Sequence, residues 1–208
     1  HKVEVVHADA FEYLPPEPVD VVICEMIHVA MLREKQVEVI NAFKQRYRER
    51  FGDRLPLFLP TAAVMAVQPL QQDYDFFGFH APIMQFQRVG AEHAGSAELA
   101  APAVYSILDF DDTVDREIAW QGEFTMTADG TVNALRFVTK NILAILAAQG
   151  STVDWLNDYL VLPLAAPVRV RAGDRLQVSF DYVTGGSLQS LARSMRASVQ
   201  PMRRRLVA

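Results

Sequence analysis

Cysteine is almost missing from this chain: Cys24 is the single one in 208 residues. A lone thiol excludes an internal disulfide framework and fits a reducing compartment, so a cytoplasmic location is expected. Its place in the apolar run VVIC favours core packing over nucleophilic chemistry. Long apolar runs are lacking too. None approaches the ~20 residues a membrane-spanning helix needs, and no signal-peptide pattern opens the chain, so no membrane partner is expected. Positive charge is in deficit, with 20 Lys and Arg against 25 Asp and Glu and a formal charge of -5, which argues against a general polyanion binder. Arg193, Arg196, Arg203, Arg204 and Arg205 make only the end of the sequence basic, and a solvated tail is the simpler reading. His7, His28, His80 and His93 share no ligand spacing, so no metal is expected. No internal repeat is visible.

What is present is a core: half of the residues are hydrophobic, enough for one large or two small domains. Position 1 is His, and Lys2 to His7 (KVEVVH) already reads as a strand in mid-architecture, so a fragment of a larger protein is expected. Asp9 stands at that strand's end. It could accept a hydrogen bond from an exocyclic amine such as that of adenine, with the Ala10 amide facing a ring nitrogen; a solvated acid is the alternative. After three prolines, Val21 to Cys24 reads as a buried strand, and Glu25 falls at its carboxyl end, the edge where open α/β sheets bind ligands. Glu34 follows nine residues later, at the head of a helical pattern.

In that helix Val37, Ile40, Phe43 and Tyr47 recur at spacings of three and four, while Lys35, Glu38, Lys44, Gln45, Arg48 and Glu49 take the other face. Gly52 and Asp53 end it. Leu55 to Pro60 is a short strand, and from Thr61 the composition turns to β. Ala62 to Leu70, Val104 to Asp109, Arg116 to Thr127 and Val132 to Thr139 read as strands, the last two joined as a hairpin by Asp129-Gly130. Asp158 to Leu164 and Arg175 to Tyr182 suggest another hairpin, turning at Ala172-Gly173-Asp174, so this second part reads as an antiparallel β barrel or sandwich. Residues 71–86 concentrate aromatics and read as core lining or as an arm for a partner. Gly90 to Pro102, rich in Ala and Gly, reads as a mobile connection.

Two inward-facing carboxylates make a forked receptor for a guanidinium, which stays charged and offers five donors in a plane. Glu25 and Glu34 could form such a pair if the loop between them doubles back. The alternative is that Glu34 is only a first-turn helix acid, favoured there by the dipole. His28 is a candidate base toward a nucleophile other than guanidinium, or a structural, hydrogen-bonded histidine.

The order of features, ADA after a strand, DVVICEM, Glu34, a helix, then FLPTAAVMAVQPL, resembles the protein arginine methyltransferases, which use S-adenosylmethionine. DGTVNALRFVT (Asp129 to Thr139) and DWLNDYLVLPLAAPVRVRAGDRL (Asp154 to Leu176) resemble that family's barrel strands, so the likeness runs from residue 3 to about 182. It implies the C-terminal part of a Rossmann-like sheet over 1–60, with a cofactor role, and an antiparallel β barrel over 61–208 for substrate and dimerisation. It also implies S-adenosylmethionine as cofactor, contacted by Asp9 and Ala10, and Glu25 and Glu34 as the catalytic pair that holds the methyl acceptor. Trp155 and Asp154, in the region of the family's Thr-His-Trp loop, and His28 become candidate substrate contacts. Segment 74–86 matches the family's dimerisation arm, so a homodimer is expected. The family's glycine-rich cofactor loop is absent from residues 1–208, so this chain alone is expected to be inactive. Met26, Ile27, His28 and Val29 stand where the family has Trp-Met-Gly-Tyr, and Val153 and Asp154 where it has Thr and His. These departures leave open an RNA or small-molecule acceptor, and a non-catalytic binding or oligomerisation module.

Overall fold

The computed structural model describes residues 2–200; His1, Arg203, Arg204 and Arg205 lie outside the described residues. The first ordered elements are a parallel pair, β1 (Val21–Ile23) beside β2 (Leu57–Leu59), with Val22 opposite Phe58. Parallel strands need a long crossover, which α1 (Gln36–Phe51) supplies. Gly52, at φ +88°, stops the helix where its N–H reaches back to the Arg48 carbonyl at 2.9 Å. Two expectations fail here. Lys2–His7 is exposed and forms no strand, because none of the described strands lies beside it. β1 is not buried either: Val21 is 45% and Ile23 76% exposed, since β2 is the one strand paired with it among the described residues.

The helix buries Val37, Ile40, Phe43 and Tyr47 as its spacing predicts, but Glu38 and Lys44 from the supposed solvent face are buried too. Lys44 and one oxygen of Glu38 have partners, as burial requires, while the buried Oε2 of Glu38 has none among the described residues. Lys44 donates to the carbonyls of Phe110 and Asp112, and burial lowers its pKa. Glu38 accepts from Arg116 at 3.1 Å and Lys35 at 3.5 Å.

The remainder is antiparallel sheet. Its strands are β3 (Ala62–Gln72), β4 (Asp75–Phe76), β5 (Phe79–His80), β6 (Gln85–Gln87), β7 (Ser96–Glu98), β8 (Ala103–Asp109) and β9 (Glu117–Thr125). There follow β10 (Gly130–Leu146), β11 (Ser151–Leu156), β12 (Tyr159–Val170), β13 (Arg175–Val183), the short helix α2 (Leu188–Ser194) and β14 (Arg196–Gln200). The large sheet runs β6-β12-β10-β3-β7, with β8 also on β3 and β11 also on β10; the small one runs β14-β13-β9. Between them sits an aromatic core, in which Phe180 meets Tyr105 at 5.1 Å, Phe137 at 5.3 Å and Trp120 at 5.3 Å between ring centroids. β8 adjoins β9 and β12 adjoins β14, but no ladder joins either pair among the described residues, so of the expected barrel or sandwich the described strands trace two antiparallel sheets and no closed barrel.

Neither expected hairpin forms. β9 pairs with β13 and β10 with β12, so Asp129-Gly130 and Ala172-Gly173-Asp174 each carry the chain from one sheet to the other. The two turns bind each other instead. Asp129 accepts from the Ala172 amide at 2.8 Å, Gly173 donates to Met126 at 2.8 Å and Met126 donates to Asp174 at 2.9 Å. A turn signal specifies a reversal of the chain; cross-strand side-chain packing specifies which strand lies beside it. Gly90–Pro102 likewise contains β7, which pairs with β3, and Leu99 and Ala100 are buried. Arg136, nearly buried, helps fasten this segment by donating to Glu98 at 2.7 Å and Gln87 at 3.1 Å. Beyond it the β4–β5 hairpin turns at Phe77-Gly78, both with positive φ. Phe77 and Phe79 are 103% and 77% exposed, while Tyr74 at the base is buried. Among the described residues no helix is long and apolar enough to cross a membrane.

Candidate functional site

The loop from Glu25 to Glu34 is apolar in its middle, and that middle is what anchors it: Ile27, Val29, Ala30, Met31 and Leu32 are buried, while Glu25, Arg33 and Glu34 are exposed. A single 3-10 turn (Val29–Met31) reverses the chain. Ala30, Met31 and Arg33 have φ values of 59°, 52° and 64°. Left-handed backbone at non-glycine residues costs on the order of 1–3 kcal/mol each and persists only where surroundings over-determine it. Here the surroundings are the large sheet and the turn after β13. The Ala30 amide donates to the Thr139 hydroxyl at 2.8 Å, and Asn157, itself held by Asn141, donates to the Ile27 carbonyl at 3.3 Å. Gly185 donates to the Met31 carbonyl at 2.7 Å, and Arg33 donates to Gly186 at 2.8 Å. A side chain at Gly185 would be strained: its φ is +69°, and a Cβ would stand 2.2 Å from a Glu38 carboxylate oxygen, which would have to move.

Glu25 and Glu34 therefore sit at the two mouths of one clamped loop. Among the described residues neither carboxylate has a hydrogen-bond or ion-pair partner. Glu25 lines a cavity of about 430 Å³ together with Ala10, Tyr13, Cys24 and Met26, and no basic residue contributes to its wall. Burial, and after it the Glu25 charge, pushes the Cys24 thiol up to about 11. That thiol stays protonated at neutral pH and is no nucleophile. Ala10 shares the Glu25 cavity. Asp9 spends one carboxylate oxygen on its own turn, accepting from the Phe11 amide at 2.8 Å.

The Nδ1 of His28 lies 3.0 Å from the Val29 carbonyl. A carbonyl can only accept, so Nδ1 carries the proton, and in the neutral ring Nε2 is left as an acceptor. The ring meets Phe86 of β6 edge to face at 5.8 Å. Trp155 and Asp154 lie on β11 rather than in a loop, because Ser151–Leu156 pairs with β10. Side chains alternate along a strand, so they part company. Trp155 stands opposite Asn141, on the face whose Asn141–Asn157 pair grips the loop. Asp154 faces the other way, 3.1 Å from Lys140. The Thr152 hydroxyl and then Lys140 hold its carboxyl below the ordinary aspartate range.

Sequence reading missed Gln36, Phe86, Thr139 and Asn157. Gln36 left a signal, being an amide on the apolar stripe of Ile40, Phe43 and Tyr47. Phe86 supplies an aromatic beside His28 from a separate element, which no local motif announces.

No protein-family model matches the chain. An uncharacterised protein of Methanocaldococcus jannaschii is 26% identical over 191 residues, covering 92% of this chain and 67% of that protein. One of Methanothermobacter thermautotrophicus is 25% identical over 195 residues, 93% of this chain and 68% of that one. Among solved structures, the fold is similar to a chain of the Trypanosoma brucei PRMT1 enzyme-prozyme heterotetrameric complex with AdoHcy (TM-score 0.56, 15% identity, 78% of this chain and 59% of that one). It is also similar to Arabidopsis thaliana protein arginine methyltransferase 10 in a uniquely open conformation (TM-score 0.64, 12% identity, 85% of this chain and 64% of that one). The likeness is one of fold, and this chain spans less than two thirds of either solved chain.

Proposed function

We propose that this chain is the acceptor-binding portion of an S-adenosylmethionine-dependent N-methyltransferase acting on protein arginine. The observation that carries the reading is the strained loop that presents Glu25 and Glu34, both exposed and, among the described residues, without partners. In this reading residues 1–60 belong to the cofactor domain and 61–208 carry substrate and dimer contacts.

The wall around Glu25 fits such a cofactor, being apolar, free of basic groups and bounded by Ala10. Asp9 and Ala10 would hold its adenine edge. When bound, the cofactor supplies an electrophilic methyl group. The chain's own residues do the rest. A guanidinium is a poor nucleophile because its lone pairs are delocalised. Two carboxylates at one end concentrate positive charge there and leave the far nitrogen the better nucleophile, and either can accept the proton that must leave. Positioning can contribute about 7–11 kcal/mol in favourable cases. Each charge-assisted bond contributes roughly 1.5–3 kcal/mol, so Glu25→Gln or Glu34→Gln in the full-length protein lowers kcat/KM about 10- to 100-fold. Labelled-methyl transfer to arginine peptides measures this, and wild-type turnover by both variants sinks the reading.

A second reading, transfer to an RNA or small-molecule nucleophile, draws on His28, whose Nε2 is left as an acceptor beside Phe86. The same assay run against cell RNA separates the two. The exposed Phe77 and Phe79 favour a homodimer through segment 74–86, and light scattering that finds only monomer at tens of micromolar excludes it.

A further inference from the structure

We infer that Gln36 is the positioning residue of Glu25: one buried carboxamide holds the backbone on both sides of that acid and so determines where its carboxylate stands. The inference rests on the reading of Glu25 as an acceptor-binding group. Gln36 opens α1 and is 1% exposed. Its Oε1 accepts from the Met26 amide at 3.0 Å, and its Nε2 donates to the Cys24 carbonyl at 2.8 Å. Those two groups flank Glu25. One amide orientation alone satisfies both, since an N–H needs an acceptor and a carbonyl needs a donor.

The Glu25 backbone has little else to hold it. The β1–β2 pairing ends with the Cys24 amide donating to Leu59 at 3.0 Å, and the next tie along the chain is the Ile27 carbonyl on Asn157 at 3.3 Å. Glu25 is exposed, and its carboxylate has no partner among the described residues, so the side chain's place follows from its backbone. The amide is otherwise out of character on this helix face. Ile40, Phe43 and Tyr47 beside it are buried, and an unbonded amide there costs free energy that an apolar side chain would not. Both of its polar groups are spent on the two backbone groups that flank the acid. Gln36 also lies just past Glu34, so the same residue ties the first acid to the start of the helix behind the second.

The test uses the full-length protein and Gln36→Met, which keeps most of the volume and removes both bonds. Exchange of the Met26 amide is expected to speed up about tenfold, the scale of one hydrogen bond, while amides of β3 and the later turns of α1 keep their rates. The acceptor KM rises about tenfold, and the cofactor Kd, whose proposed cavity Cys24 and Met26 also line, rises less than that. Gln36→Glu keeps an acceptor for Met26 but loses the donor to the Cys24 carbonyl, so the Met26 amide exchanges more slowly than in Gln36→Met; equal exchange in the two variants points to lost packing and overturns the clamp. Unchanged Met26 exchange or unchanged acceptor KM in Gln36→Met, with Glu25→Gln impaired, overturns the role of Gln36 alone. Wild-type turnover by Glu25→Gln overturns the acceptor-binding role of Glu25 and this inference with it, and the two failures are thereby distinct.

Discussion

Phe137 on β10 is fully buried, while Ile23 at the end of β1 is 76% exposed, though both are large apolar strand residues. The antiparallel sheets close a core between themselves, through Tyr105, Phe137 and Phe180. The parallel pair has one strand on each side of a single ladder and leaves Val21, Ile23 and Leu57 exposed. The difference teaches where the acidic loop gets its shape. In sequence it continues β1, yet its bonds reach Thr139 and Asn157, 109 and 130 residues away. A strained loop at the end of a thinly covered strand would relax if left to its neighbours; the sheet body prevents that.

Three substitutions can break or sharpen this contrast. Phe137→Ala should cost about 3–5 kcal/mol by urea denaturation, because it opens a cavity where both sheets meet. A loss below about 1 kcal/mol would mean that the sheets do not share a rigid core. Thr139→Val keeps the shape of the side chain but leaves the buried Ala30 amide without an acceptor, at about 1–3 kcal/mol, and should speed exchange of that amide. Unaltered stability together with unaltered exchange would detach the loop from the body. Ile23→Thr should change the stability of residues 1–208 by less than about 0.5 kcal/mol, as for an exposed site. A larger loss would show that Ile23 is covered in solution.

Much of the skeleton was legible from local pattern. The 3.6-residue spacing of Val37, Ile40, Phe43 and Tyr47 announces α1, because that period follows from backbone geometry, and the turn of the composition to β after Thr61 announces β3, β8 and β9. Lys44 and Glu38 were misplaced because burial of a charge depends on partners such as the Phe110 carbonyl and Arg116, which lie far along the chain. The hairpins at Asp129-Gly130 and Gly173-Asp174 were misread for a similar reason: a turn is local, a strand's neighbour is not. At the site, Glu25, Glu34 and His28 were visible as residue types at a spacing. Whether Asp154 stood with Trp155 was not, since adjacent strand residues point to opposite faces once β11 pairs with β10.

The amino-acid order by itself determined that a short β-branched run ends in an acid, that a second acid heads an amphipathic helix, and that antiparallel strands follow. Tertiary structure alone decided that the residues between the acids fold back over the large sheet, with Gln36, Thr139, Asn157 and Gly185 as the ties. The physical reason is that helix and strand periods are properties of neighbouring residues, whereas a buried amide or carbonyl must find its partner wherever the fold brings one.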